Sequence, residues 1–242
     1  MQKISFIVAG QKLQGTLIYP EKIRAKNPAI LFLHGWRSSE QYLLARAEGL
    51  AKLGFVCLTF NMRGSATSEG DITKLTRQDF LQDALTAYDY LANLKEVDKE
   101  KISVIGSSFG AYLACLLSGK RNIRNLVLRV PANYPDEGFD KPQIDFSGDN
   151  NPDVLRWRFN SLTKEKTLAL KVLHNFSGNI LIVESEKDEL IPHQTIESYI
   201  NAVRDKSQLT HTVMEGADHA MHDENFLLLY NEILIKWFKD KM

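Results

Sequence analysis

The chain contains 242 residues, in which 30 lysines and arginines balance 30 aspartates and glutamates. This balance, together with the lack of a long basic run, argues against a partner such as nucleic acid or anionic lipid, since both select concentrated positive charge. A hydrophobic fraction of 44% is enough to build a full core and excludes a disordered chain. The length fits one domain over residues 1–242.

Cysteines and apolar runs give a first indication of the compartment. Cys57 and Cys115 each lie in an apolar run, which predicts buried thiols and not a disulfide or a metal site. The apolar runs are far shorter than the roughly 20 residues that cross a bilayer, so no membrane span is expected. Residues 1–8 lack the apolar core and cleavage site of a secretion signal. We therefore expect a cytoplasmic protein.

The first residues predict an antiparallel hairpin, with extended runs at 3–8 and 13–19 on either side of Ala9-Gly10-Gln11. Short, almost wholly apolar runs follow, as expected of strands buried on both faces of a parallel sheet: 29–33, 55–60, 102–105, 126–130 and 180–183. Helical patterns lie between and after these runs, and Thr76 with Asp79 resembles a capping box before one of them: 42–53, 77–91, 196–203 and 226–237. Because strand and helix alternate, the predicted class is α/β.

The segment from Pro131 to Asn160 breaks this alternation. It contains four prolines and five aromatic residues, and so long a connection inside a compact domain is usually functional. Together with a helical stretch at 163–174, it predicts a lid over residues 132–176 at the carboxyl edge of the sheet, where ligands of open α/β folds bind. A solvated excursion without substrate contact is the alternative. Acidic side chains of the segment could attract a cationic substrate, although a hydrated loop face explains them as well: Asp136, Glu137, Asp140, Asp145, Asp149 and Asp153.

The strand at 102–105 runs directly into Gly106-Ser107-Ser108-Phe109-Gly110 and then into an apolar helical stretch. A sharp turn from strand to helix needs glycine on both sides of the serine, because a Cβ there would collide with the neighbouring strand and helix. The same turn leaves the serine hydroxyl pointing outward. Ser108 is therefore the candidate nucleophile.

A serine hydroxyl needs a general base within hydrogen-bond reach and an acid that orients this base. His219 is the candidate base, because it lies in a loop between the strand-like run 209–214 and the last helical pattern. His34, before Gly35 at the end of an early strand, is interpreted as structural. The remaining histidines are interpreted as surface or helix-end residues: His174, His193, His211 and His222.

Asp188 is the candidate acid. It follows the strand at 180–183, Pro192 is expected to open the next helix, and the order Ser, Asp, His is expected of this architecture. Glu186, two positions earlier, and Asp136 in the lid remain alternatives.

An acyl-transfer site also needs two backbone N–H groups directed at the developing oxyanion. Phe109, at the amino end of a predicted helix, supplies one of them. Trp36, in the loop after His34-Gly35, is the natural second donor.

These residues resemble those of the α/β-hydrolase superfamily over nearly the whole chain. The motifs are His34-Gly35-Trp36, Gly106-x-Ser108-x-Gly110, Asp188 followed by Pro192, and Gly216-Ala217-Asp218-His219. Within the superfamily, the chain is most similar to small lid-bearing esterases of the feruloyl or cinnamoyl kind and to serine aminopeptidase-like hydrolases. The resemblance implies an α/β-hydrolase fold, with a mostly parallel twisted sheet, an antiparallel amino-terminal hairpin, helices on both faces and a short lid insertion.

The chain departs from the family pattern at two loops. Residues 61–68 read Asn-Met-Arg-Gly-Ser-Ala-Thr-Ser where many relatives have D-x-R-G-H-G-x-S, which leaves the conformation of this loop open. Trp36 follows Gly35 where lipases continue with glycines, and this bulky residue suggests a restricted acyl pocket. Ser108 stands where dehalogenases and epoxide hydrolases need a carboxylate, which argues against both activities.

The sequence therefore predicts a serine hydrolase that cleaves a small or medium carboxylic ester through an acyl-enzyme intermediate, without a cofactor or a metal. A thioesterase, an amidase or a peptidase with the same residues is the alternative, because acyl preference depends on the shape of the pocket. A ligand-binding protein that keeps the three groups without turnover is a third alternative.

Overall fold

The computed structural model describes residues 1–147 and 151–241. One sheet is formed by β1 (Gln2–Val8), β2 (Gln11–Ile18), β3 (Asn27–Leu33), β4 (Val56–Phe60), β5 (Val97–Ser107), β6 (Asn125–Arg129), β7 (Asn179–Ser185) and β8 (Leu209–Met214). The helices are α1 (Leu44–Ala51), α2 (Arg77–Ala92), α3 (Phe109–Ser118), α4 (Pro152–Arg158), α5 (Leu168–Asn175), α6 (His193–Ala202) and α7 (Glu224–Lys241). Short 3-10 helices span Glu40–Leu43, Gln143–Phe146 and Lys206–Gln208.

The strand order is β1-β2-β4-β3-β5-β6-β7-β8. The β1/β2 and β2/β4 pairs are antiparallel, and every later pair is parallel. Ala9 and Gly10 both have positive φ angles, 48° and 80°, as a tight hairpin turn between twisted strands requires. The predicted fold class is thus confirmed. Because β3 and β5 to β8 all run in one direction, the loops that leave their carboxyl ends meet at one edge of the sheet.

Helices cover both faces of the sheet. Alternate side chains of the central strands point to opposite sides, and since these side chains are apolar, both faces must be buried. Leu31 and Leu33 of β3 belong to the apolar cluster that packs against α2, α3, α5 and α6. Ile30 and Phe32 belong to the second cluster, which packs against α1 and α7. Both faces of β3 are therefore buried, as its wholly apolar sequence predicts.

Several element boundaries differ from the sequence expectation. β5 begins at Val97, before the apolar run, because Val97 pairs with Asn27 of β3. The segment Pro131 to Asn160, for which the sequence pattern predicts no helix, contains a 3-10 helix and α4. The helix predicted at 163–174 begins at Leu168, since Thr167 caps it by accepting a hydrogen bond from the Leu170 N–H. The capping box of α2 is present as predicted.

The carboxyl-terminal end of the predicted lid, 132–176, is packed into the body of the protein. α5 packs against α3 and α6, and its Ala169, Leu170 and Leu173 are fully buried. Cys115 of α3 lies with its Sγ 3.0 Å from the Ala169 carbonyl. Both cysteines are free and buried, as expected. α5 is therefore part of the helical layer, while the connection before it leads past the carboxyl ends of the strands. In the described residues, no helix is both long and apolar enough to cross a membrane.

Candidate active site

Ser108 occupies the sharp turn between β5 and α3. Its φ of 54° and ψ of −117° lie outside the regions that residues with a side chain ordinarily occupy. The turn is possible because the flanking residues are glycines: a Cβ on Gly106 would lie 2.3 Å from the Gly110 carbonyl oxygen, and a Cβ on Gly110 would lie 2.2 Å from that of Leu33. The predicted strand, turn and helix around the serine therefore have a direct steric cause.

Backbone hydrogen bonds hold this turn in place. The Ser108 N–H donates to the carbonyl of Arg129 at 2.9 Å, and the Ser108 carbonyl accepts from the Ala111 N–H at 3.0 Å. The nucleophile candidate is thus fixed between the end of β6 and the first turn of α3.

His219 and Asp188 are brought together by the loops after β8 and β7. The Nδ1 atom of His219 lies 2.7 Å from Oδ2 of Asp188, whose side chain is 1% exposed. The other oxygen of Asp188 accepts hydrogen bonds from the Leu190 and Ile191 N–H groups, at 2.9 and 2.7 Å. In the tautomer that donates its Nδ1–H to this carboxylate, the imidazole carries a lone pair on Nε2 that can accept a proton.

The alternative carboxylates have other partners. Glu186 accepts a hydrogen bond from the Gly216 N–H at 2.7 Å. Asp136 accepts from the Leu168 N–H at the amino end of α5, with both oxygens at 2.9 Å. Of the three candidate acids, Asp188 is the one that lies against His219.

Arg129 supports the His219 loop, although the sequence analysis did not single it out. Its Nη2 atom lies 2.7 Å from the His219 carbonyl and 3.4 Å from that of Asp218, and 3.2 Å from the Ser185 hydroxyl. Arg129 is buried at the carboxyl end of β6. An arginine inside the apolar run 126–130 is a signal that could have identified it, because buried arginines are rare without a specific partner.

Of the predicted oxyanion donors, Phe109 directly follows Ser108 at the start of α3, and Trp36 follows Gly35, which packs against the serine turn. Gly35 packs close to Ser108: a Cβ added to Gly35 would lie 3.6 Å from the Ser108 Cβ. The Trp36 ring makes edge contacts with Phe80 and Phe109, each at 5.6 Å between ring centroids. This packing fixes the Trp36 backbone next to the turn and places an aromatic wall beside it.

His34 is buried and takes part in the framework of the site. Its Nδ1 atom lies 2.8 Å from the Gly35 carbonyl, and its Nε2 atom accepts from the Met62 N–H at 3.1 Å. Burial lowers the pKa of His34 to about 4, so the ring is neutral at neutral pH. The interpretation of His34 as structural agrees with these contacts.

The loop at 61–68, where the chain departs from the family pattern, is fixed by side chains. Asn61 accepts a hydrogen bond from the Glu40 N–H at 2.8 Å. Arg63 forms a buried ion pair with Asp83, with 2.5 Å between Nε and Oδ1. Asp83 also accepts from the Arg63 N–H at 2.9 Å. These bonds give the loop a defined conformation without the histidine that many relatives have there.

The other histidines lie at surface or helix-end positions. His193 begins α6 and His211 lies on the edge strand β8, and both contact the Glu184 carboxylate, at 2.6 and 3.0 Å. His222 contacts Asp218 at 2.6 Å, and His174 lies in the last turn of α5. Among the described residues, no group of three or more His, Cys, Asp or Glu side chains is arranged to hold a metal ion.

A cavity of about 590 Å³ opens beside Ser108 and His219. Its size is that of a small-molecule site. From the predicted lid, Tyr134, Ser147 and Arg158 line it. The described acidic residues of the lid are exposed and do not line the cavity, as expected of a hydrated loop face. Asp149 lies outside the described residues.

Several known proteins are similar to this chain. The model of the prolyl oligopeptidase family matches residues 40–242. An uncharacterized protein of Mycobacterium tuberculosis is 30% identical over 122 residues, which are 50% of this chain and 42% of that protein. Acylamino-acid-releasing enzyme 2 of Oryza sativa subsp. japonica is 35% identical over 127 residues, which are 49% of this chain and 16% of that enzyme. The chain thus spans less than half the length of these curated relatives.

Solved structures show the same fold over nearly the whole chain. Est1E of Butyrivibrio proteoclasticus, solved with ferulic acid bound, has a TM-score of 0.77 at 19% identity, covering 98% of both chains. The fold is therefore that of the α/β hydrolases. Because the family model covers most of its length, the chain belongs to the prolyl oligopeptidase family.

Proposed function

We propose that this protein hydrolyses a small or medium carboxylic ester with Ser108, His219 and Asp188 as a catalytic triad. The observation that carries the proposal is the hydrogen bond between His219 and the buried Asp188 carboxylate, on a loop that lines the same cavity as Ser108. Three side chains far apart in sequence are thereby assigned the roles of nucleophile, base and orienting acid.

In the first half of the proposed reaction, the Ser108 Oγ attacks the ester carbonyl carbon while its proton passes to Nε2 of His219. The carbonyl electron pair moves onto oxygen and forms a tetrahedral oxyanion. When this pair returns, the bond to the alcohol oxygen breaks and His219 gives its proton to the leaving alcohol. The product is an ester of the acid with Ser108.

In the second half, water replaces the alcohol. His219 takes a proton from the water, whose oxygen attacks the acyl-enzyme carbon, and returns it to Ser108 Oγ when the acyl bond breaks. Asp188 keeps the imidazole proton on Nδ1 and stabilises the imidazolium. The N–H groups of Trp36 and Phe109 are assigned to the oxyanion, where the loss of one donor costs about 100-fold or more in rate.

Peptide hydrolysis is the second candidate, because the family that matches the chain is that of prolyl oligopeptidase. The same residues could cleave an amide bond, with His219 protonating a leaving amine. Thioesters need the same nucleophile and base, so the leaving group is decided by the shape and polarity of the cavity.

The decisive experiment compares Ser108→Ala with Ser107→Ala, since both serines line the cavity. Wild type is assayed on 4-nitrophenyl esters of increasing acyl length, on acyl thioesters and on aminoacyl 4-nitroanilides. We expect ester cleavage and labelling by a fluorophosphonate probe in wild type and Ser107→Ala, and neither in Ser108→Ala. Labelling that survives in Ser108→Ala would disprove the assignment of the nucleophile. Faster anilide cleavage would favour the peptidase, and ligand binding without any hydrolysis would favour a non-catalytic protein.

A further inference from the structure

Three arginines line the cavity beside Ser108: Arg46 from α1, Arg129 from β6 and Arg158 from α4. They are 7%, 4% and 4% exposed. Glu224 is the one carboxylate among the described lining residues, and it is exposed. The walls of the cavity therefore carry an excess of positive charge that bulk water screens poorly.

None of these arginines forms an ion pair with a carboxylate of the described residues. Arg158 donates to the backbone carbonyls of Leu190 and Asn133, at 3.1 and 3.4 Å. Arg46 donates to the carbonyl of Tyr42. The Nε atoms of Arg46 and Arg129 are buried without a hydrogen-bond partner in the part of the chain that the structure describes.

Arg63 is a buried arginine of the same protein that does have a carboxylate partner, and it serves as a comparison for the cavity arginines. Its guanidinium lies 2.5 Å from the buried Asp83 carboxylate. Buried charges in proteins are ordinarily paired in this way, because an uncompensated charge is costly to remove from water. The cavity arginines form no such direct ion pair among the described residues, although the Asp188 and Asp218 charges act on Arg129 from a longer distance. An anion from solution could therefore pair with them.

Arg46 and Arg129 also share one aromatic ring. Their guanidinium carbons lie 5.3 and 5.9 Å from the centre of the Tyr230 ring. Burial raises the pKa of the Tyr230 phenol above its usual value, so the hydroxyl is neutral and supplies no counter-charge. Burial lowers the pKa of Arg129 to about 10; the charge of Arg46 lowers it further, and the charges of Asp188 and Asp218 oppose this shift. Arg129 still carries its proton at neutral pH. Two positive charges of the cavity wall therefore lie near the same aromatic ring.

We propose that this cavity binds a permanently anionic group, distinct from the oxyanion of the reaction. The substrate is then an ester whose acyl or alcohol part carries a carboxylate or a phosphate. Arg46 and Arg158 determine this specificity, because a guanidinium group can form paired hydrogen bonds with either a carboxylate or a phosphate. Arg129 adds charge while its Nη2 atom holds the His219 loop. The substrate class rests on the proposed ester hydrolysis, whereas the anion site can be tested without turnover.

The kinetic test uses mono-4-nitrophenyl glutarate and the same compound with its free carboxylate converted to a methyl ester. We expect wild type to cleave the anionic ester with a kcat/KM at least about tenfold higher, a difference that one charge-assisted contact can supply. Arg46→Met should lose at least about tenfold on the anionic ester and less than about threefold on its neutral partner. Arg124→Met is the control, because it removes an exposed arginine next to the amino end of β6, opposite the carboxyl edge that carries the site.

The binding test uses Ser108→Ala at constant ionic strength, with glutarate and inorganic phosphate as separate probes in calorimetry. We expect saturable binding of at least one probe, lost when Arg46→Met is added, and the probe that binds identifies the type of oxyanion. Arg158→Met repeats both tests and replaces Arg46→Met if that variant does not fold.

The outcomes separate the two proposals. Equal kcat/KM for the two esters, with no saturable binding of either probe, would overturn the anion site and leave the ester hydrolase intact. Absence of hydrolysis with arginine-dependent binding would overturn the hydrolase and retain the anion site. Equal losses on both esters in Arg46→Met and in Arg158→Met, with unchanged binding, would also overturn the anion site.

Discussion

The Nδ1 atom of His219 lies 2.7 Å from Oδ2 of Asp188, although the two residues are 31 positions apart in sequence. Asp188 is held in turn by the N–H groups of Leu190 and Ile191. The orientation of the imidazole is therefore set by the loop after β7 and not by the loop that carries His219 alone.

Replacing Asp188 tests this relationship. In Asp188→Asn, the amide presents an N–H group to His219 and favours the tautomer with the proton on Nε2, which cannot accept the serine proton. We expect kcat to fall by about 10⁴-fold with a smaller change in KM, as measured by steady-state ester hydrolysis. Glu186→Gln is the matched control, since Glu186 bonds the Gly216 N–H, and it should retain activity within about threefold. Equal losses in the two variants would contradict the assignment of Asp188.

The glycines of the serine turn make a prediction about folding stability. In Gly110→Ala, the new Cβ would lie 2.2 Å from the Leu33 carbonyl oxygen, so the backbone must move. We expect the free energy of unfolding in urea to fall by at least about 2 kcal/mol. Gly49→Ala is the control, because its Cβ would meet the Ile235 side chain at an ordinary 3.7 Å inside α1, where alanine is favoured by about 1 kcal/mol. A Gly110→Ala protein as stable as wild type would show that the turn does not require glycine.

The lowered pKa of His34 predicts that the free energy of unfolding decreases in mild acid. Burial lowers its pKa from 6.5 to about 4, so between these values the unfolded chain binds a proton that the folded chain does not. This difference should remove about 3 kcal/mol of stability as the pH falls from 6.5 to 4. We expect His34→Asn to be less stable at neutral pH but to lose less of its remaining stability over this interval.

Urea unfolding at several pH values measures this difference, and the shift of the His34 ring protons in NMR provides a direct check. The ring signal of His34 should stay unchanged between pH 8 and pH 5. Titration of that signal near pH 6.5 would be inconsistent with a buried, neutral imidazole.

The contacts of buried Arg77 predict that it stabilises the attachment of the start of the lid segment. It is fully buried, and it donates to the carbonyls of Pro135 and Glu137 at 2.7 and 2.8 Å while packing over Tyr134. Arg77→Met keeps much of the packing but leaves both carbonyls without their donor. We expect a loss of about 2 to 4 kcal/mol in the free energy of unfolding and faster proteolysis within 135–147.

Arg156→Met serves as the control for this change, because Arg156 is exposed on α4 and its ion pair with Asp153 contributes little. Its unfolding midpoint and its cleavage pattern should match those of wild type. Similar effects of the two substitutions would show that the buried contacts of Arg77 do not hold the segment.

Local features of the fold could be predicted from the sequence with good agreement. β8 spans the predicted residues, and α2 begins at Arg77 behind the predicted capping box. In the turn at Ser108, Gly106 is required by its contacts with Gly110 and Ala111, which the motif itself places nearby, whereas Gly110 is required by its close approach to Leu33 of β3. The predicted element boundaries were wrong where a residue distant in sequence determines the end of an element. Val97, for example, extends β5 because it pairs with Asn27 of β3.

The amino-acid sequence by itself determined the alternation of strands and helices, the serine turn and the order of the candidate groups, because these depend on short-range sterics and on the burial of neighbouring side chains. Only the tertiary structure decided which carboxylate lies against His219 and that Arg46, Arg129 and Arg158 meet at one cavity. Long-range placement follows from the order in which parallel strands pair, and the sheet order β3-β5-β6-β7-β8 brings loops from distant parts of the chain to one edge. No local pattern encodes that order, so the charge of the cavity could not be predicted before the strands were paired.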